Sequence, residues 1–141
     1  LREGVKDLKS VLDEYRLVSF LKTSGGKGYH IVVPLSTKAT WKNARTIAKN
    51  IAKLMEAKWS DKYTSNMKKE KRKGKIFIDW VRNTKGATSV APYSLRIRDK
   101  LTVSMPISWN ELDKIKPDEI TMEMAIKRLK RKNPWENIKS I

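Results

Sequence analysis

The chain has 141 residues, no cysteine, and 32 lysines and arginines against 15 aspartates and glutamates, giving a formal net charge of +17 at pH 7. That length fits one domain, and 39% hydrophobic residues with five tryptophans can build a core, which argues against wholesale disorder. Disulfide scaffolds and thiolate metal sites are excluded, no apolar run is long enough to span a membrane, and the absence of cysteine agrees with a soluble protein of the reducing cytoplasm. A positive surplus this large attracts polyanions, nucleic acid first and anionic membrane second; a lysine-rich solubilising surface is the plain alternative.

In chain order, Val5, Leu8, Val11, Leu12 and Tyr15 recur at helical spacing and predict an amphipathic helix over 5–15. Leu17, Val18, Phe20 and Leu21 form a short apolar run, Thr23–Gly28 breaks it with three glycines, and His30–Leu35 resumes with β-branched residues. This predicts strand, glycine turn, strand. A longer helix is expected after Thr40 as N-cap, with Trp41, Ala44, Ala48, Ile51, Met55 and Trp59 along one side. Met67–Lys75 is too polar to be buried and is expected as an exposed basic loop leading into a strand over 75–80. A compact irregular segment over 91–98 and a short strand over 101–104 follow. Ser108–Glu111 matches a capping box, and Thr121 is expected to cap a last helix that turns Met122, Ala125, Ile126 and Leu129 inward, with Pro134-Trp135 tucking an aromatic back onto the body.

The turn over 23–30 carries the most chemistry. Its glycines let backbone amides face a ligand without Cβ obstruction, Ser24 offers a hydroxyl, and Lys27 a point charge suited to phosphate. It matches neither the P-loop of nucleotidases nor the dinucleotide fingerprint, so a plain hairpin remains the competing reading. His30, the single histidine, is by itself as compatible with a structural role. Alternation over 76–80 puts Asp79 on the same face as Phe77, where an acid needs an ion partner or a metal. A salt bridge to Arg82, Arg96 or Arg98 and a magnesium or manganese site beside triphosphate-binding arginines both satisfy it.

Ser24-Gly25-Gly26-Lys27-Gly28-Tyr29-His30, then a strand ending in Pro34-Leu35, then Lys73–Trp80, then Ala91–Arg98, resembles in content and order the polymerase domain of bacterial and archaeal DNA ligase D, of the archaeo-eukaryotic primase superfamily. The resemblance runs from Val5 to about Trp135. It implies that Ser24, Lys27 and His30 contact the triphosphate of an incoming nucleotide, that Asp79 is a catalytic metal ligand, and that Arg82, Arg96 and Arg98 lie near the triphosphate. It further implies a two-metal site with Mn2+ or Mg2+ in the intact domain, attack of a primer 3′-hydroxyl on the α-phosphate, and double-strand break repair with DNA, NTP or dNTP, a ligase and Ku as partners.

The resemblance lacks its first motif, an Asp-x-Asp pair preceding the first helix. Asp13 and Glu14 diverge by roughly 100° around a helix and cannot replace it. Residues 1–141 are therefore expected to be one partial domain, the C-terminal half of a primase-polymerase domain, inactive alone. The expected fold is α/β (α+β), with a mixed or antiparallel central sheet from the strands around 30–35, 75–80 and 101–104, packed by the helix after Thr40, and the sheet face carrying Asp79 as the active-site floor. The alternative from another class is a basic nucleic-acid-binding module without catalysis.

Overall fold

Periodicity becomes structure in a computed structural model that describes residues 1–138, grouped into two units. No helix among the described residues is long and apolar enough to cross a membrane.

The first unit comprises Glu3–Leu17 and Leu35–Ser89. Helix α1 (Arg2–Glu14) buries Val5, Val11 and Leu12 of the predicted stripe and half-buries Leu8, while Tyr15, also expected on that face, caps the helix and is exposed. It closes where Arg16 adopts a left-handed φ of 57° and the Leu17 amide donates to the Leu12 carbonyl at 2.8 Å. Helix α2 (Trp41–Lys58) starts at Thr40 as expected: Thr40 Oγ1 accepts from the Asn43 amide at 3.1 Å, and Asn43 Oδ1 accepts from the Thr40 amide at 3.0 Å. Val11, Met55 and Tyr63 form a buried cluster, with Leu8, Trp59 and Ile78 packed on it. Strand β3 (Tyr63–Thr64) pairs in parallel with β4 (Ile76–Phe77), and Lys69–Arg72 between them forms a 3-10 turn with Lys69, Glu70 and Lys71 exposed, as the basic loop requires.

The strand expected over 75–80 is much shorter. Its partner offers only two residues, so after the Ile78 amide has donated to the Thr64 carbonyl at 3.0 Å the ladder ends. The chain then turns to seat Trp80, whose indole N–H donates to the Ser65 carbonyl at 2.8 Å. Asp79 consequently lies outside the strand and exposed, not on a buried face with Phe77.

The second unit comprises Val18–Pro34 and residues 90–138. Strand β1 (Phe20–Thr23) is central in an antiparallel sheet between β2 (Tyr29–Val32) and β7 (Pro106–Ile107), so the predicted strand, glycine turn and strand form a hairpin. Its register sets Leu21 opposite Ile31 and Thr23 opposite Tyr29 on one face, and Lys22 opposite His30 on the other. A second antiparallel hairpin joins β5 (Leu95–Ile97) to β6 (Leu101–Val103). The Trp135 indole N–H donates to the Leu21 carbonyl at 2.9 Å and its ring meets Phe20 edge-on, the tuck expected of the tail.

Ser108 and Glu111 make the predicted capping box at a 3-10 turn, Trp109–Glu111, and Arg128 grips Glu111 with two bonds of 2.8 and 2.9 Å. Helix α3 (Met122–Arg128) is capped by Thr121, which accepts from the Met124 amide at 3.2 Å. Only Ala125 of its expected inward face is buried; Met122, Ile126 and Leu129 are exposed. The fold is mixed α and β as expected, but the three anticipated strands fall in three separate ladders rather than one central sheet. Strands of two to four residues, each completed by a different local partner, do not reach one another.

Candidate functional site

The turn after β1 is built from its side chains inward. Ser24 Oγ accepts from the amides of Gly26 at 3.0 Å and Gly28 at 3.1 Å, and the Ser24 amide donates to the Gly28 carbonyl at 2.9 Å. The Gly25 amide donates to the Pro117 carbonyl at 3.0 Å. These three glycine amides are therefore committed within the protein, which corrects the expectation that they face a ligand. The Ser24 hydroxyl proton remains to donate, and Lys27 stands exposed at the tip.

The first two glycines serve a different purpose. Gly25 has a left-handed φ of 77°, and a Cβ there would lie 2.8 Å from Arg96 Cγ and 3.1 Å from Thr102 Oγ1; at Gly26 a Cβ would collide with the Arg98 guanidinium. The turn is bare so that two arginines on alternate positions of β5 and its end can lie against it. Arg96 Nη1 donates to the Ser24 carbonyl at 2.9 Å, and Thr102 Oγ1 donates to the Gly25 carbonyl at 2.5 Å.

Ser24, Arg96 and Arg98 thus come together at one turn, with Lys27 on the same turn and His30 on β2 across from Lys22. Among the described residues, Lys27, Arg96 and Arg98 make no ion pair. Three uncompensated cations on one turn form a concentrated positive field, and an anion with several oxygens would satisfy the guanidinium donors left over.

Asp79 and Arg82 belong to the first unit and pair with each other at 3.7 Å, with side chains 51% and 65% exposed. Half exposed and outside the strand, Asp79 does not need a metal to offset burial, and its partner is Arg82, one of the arginines expected for it. Among the described residues no three His, Asp or Glu side chains cluster as a cation site. A single exposed carboxylate beside a guanidinium does not fit a two-ion centre, so this chain's described residues do not make one by themselves.

Three residues that the sequence reading passed over complete the second unit's turn: Lys22, Thr102 and Ser104, all buried. No short-range pattern singles them out, since their partners lie 68 to 82 residues away.

The mixed α and β frame is the fold of the LigD polymerase domain. The structure superimposes on the polymerase domain from Mycobacterium tuberculosis ligase D in complex with DNA at a TM-score of 0.87 and 34% identity, over 99% of this chain and 49% of that one. Residues 1–135 match the primase-polymerase domain of LigD, and the chain belongs to that family. Among curated relatives, it is 41% identical over 106 residues to the multifunctional non-homologous end joining protein LigD of Pseudomonas aeruginosa, covering 75% of this chain and 13% of that protein. It is 36% identical over 131 residues to the Mycobacterium bovis protein of the same name, covering 93% of this chain and 17% of that one. The chain thus spans about half of the solved polymerase domain and under a fifth of these two relatives.

Proposed function

We propose that this chain carries the triphosphate-binding part of a template-directed nucleotidyltransferase acting in end-joining repair of DNA, and that on its own it binds nucleotide and DNA without extending a primer. The observation that carries the reading is the seating of Arg96 and Arg98 on the Gly25–Gly26 turn, with Ser24 and Lys27 completing a set of donors without acidic partners. Ser24, Lys27, Arg96 and Arg98 hold the β- and γ-phosphates, and His30 on the adjoining strand contributes from the same hairpin. For Asp79 as metal ligand and Arg82 as a further triphosphate contact, the support is the resemblance of Lys73–Trp80 and its flank alone.

Nucleotidyl transfer leaves pyrophosphate, and positive side chains around the β- and γ-phosphates favour its departure by offsetting the charge that develops there. On the family resemblance, Asp79 would hold one divalent ion, which would supply charge stabilisation at the reacting phosphate. Ku and a ligase domain are expected partners of the intact protein on family grounds.

DNA binding rests on the +17 charge and the exposed lysines of the Lys69–Arg72 turn. It should weaken steeply with salt, as counterion release requires. That feature alone equally suits a basic binding module without catalysis, and nucleotide selectivity separates the two.

Calorimetric titration with a nucleoside triphosphate and the matching monophosphate is the test. The triphosphate should bind more tightly, and Lys27→Ala or Arg98→Ala should each weaken it about tenfold with duplex binding nearly unchanged, the scale of one charge-assisted contact. Equal affinity for the two nucleotides would leave only the basic module.

A further inference from the structure

Among the described residues, Lys22 is the one buried cation. It lies in the central strand of the second unit's sheet, is 3% exposed, and donates from Nζ to the Val90 carbonyl and to Ser104 Oγ, both at 2.7 Å. No carboxylate balances it among the described residues. Burial, and secondarily the charge of Arg96, pulls its ammonium down to about 8. A methionine in that place would avoid the cost of burying a charge, so the two polar contacts are what the lysine adds.

Both contacts lead to the arginines. Val90 opens the segment that runs through Tyr93, at a left-handed φ of 69°, into β5. Ser104 grips the same segment a second time: its carbonyl accepts from the Tyr93 amide at 2.6 Å and its amide donates to the Ser94 carbonyl at 2.9 Å. Its hydroxyl in turn donates to the Thr23 carbonyl at 2.8 Å, immediately before the turn. One ammonium therefore ties the strand entering the glycine turn to the segment that delivers Arg96 and Arg98.

We propose that Lys22 is a positioning residue for the triphosphate site: it fixes the Val90–Arg98 segment, and with it both guanidiniums, against the Ser24–Gly28 turn. This rests on the reading of that turn as a triphosphate site. Lys22 touches no phosphate itself, and its sheet position opposite His30 places it under the same strand face. It acts on affinity through where Arg96 and Arg98 stand, not through a contact of its own.

The test combines inorganic tripolyphosphate titration with amide hydrogen exchange on the whole chain, using Lys22→Met, which keeps the stem, and Ser104→Ala, which removes the other end of the bond should the methionine variant fold poorly. The expected result is affinity about tenfold weaker in either variant, the scale of one lost bond to a charged group. Exchange should quicken at the Gly25, Gly26, Gly28 and Tyr93 amides while α2 keeps its protection. Arg96→Ala should then cost less affinity in the Lys22→Met background than alone, because the guanidinium is already misplaced, whereas Lys27→Ala should cost the same in both.

Unchanged affinity with the parent chain binding normally overturns the proposal and leaves the triphosphate reading standing. Unchanged exchange at the turn, or an Arg96→Ala cost equal in both backgrounds, overturns it as well, since Lys22 would then not act through the arginine segment. Failure of the parent chain to bind tripolyphosphate overturns the triphosphate reading, and the positioning role falls with it.

Discussion

Gly25 and Gly28 lie three positions apart in one turn and have opposite constraints. Gly25 has a left-handed φ with Arg96 and Thr102 at its α-carbon, whereas a Cβ at Gly28 meets nothing within 4 Å. Gly25→Ala should therefore cost about 1–2 kcal/mol in urea unfolding from backbone strain and displacement of Arg96, and lose triphosphate binding with it. Gly28→Ala should leave both nearly unchanged; equal losses in the two variants would mean that the turn needs flexibility rather than room for the arginine. Residue types at short spacing singled out Ser24 and Lys27 in the sequence, and the order of the motifs singled out Arg96; that Arg96 lies on the Ser24 carbonyl, 72 residues away, is what the structure adds. Lys22, Thr102 and Ser104 were not legible, because their value lies in partners 68 to 82 residues away.

At the scale of elements, caps and turns were read correctly where the signal is local, as at Thr40, Ser108 and Thr121. Strand extent was misread where a partner sets it: nothing around Tyr63–Thr64 announces a two-residue parallel strand, so the segment carrying Asp79 looked longer and more buried than it is. The exposed side of α3 was misread for a related reason, since Arg128 anchors the helix through Glu111 and only Ala125 is buried. That anchor gives a pH dependence. The Arg128 bonds, then the Ser108 amide, hold the Glu111 carboxyl at about 2 against an ordinary 4.5, so its contribution is complete above 4.5 and is lost as pH falls toward 2. Glu111→Gln should therefore be less stable than the parent by about 2 kcal/mol near neutral pH, with the gap closing through that window in urea titrations. A gap independent of pH would assign the loss to packing.

At the scale of the molecule, charge and motif report different things. The surplus of +17 attracts polyanions of almost any kind, whereas the ordered motifs are specific to the family. The structure adds how the second unit gathers uncompensated cations at a turn whose own amides are spent, so that in the proposed reading anion recognition falls to side chains. The most direct test is the 31P spectrum of a nucleoside triphosphate titrated with this chain and with Arg98→Ala. The β- and γ-phosphate resonances should broaden more than the α with the parent chain, and that selectivity should vanish with Arg98→Ala while duplex binding persists. Uniform broadening of all three resonances, unaffected by the loss of Arg98, would contradict a triphosphate site at this turn.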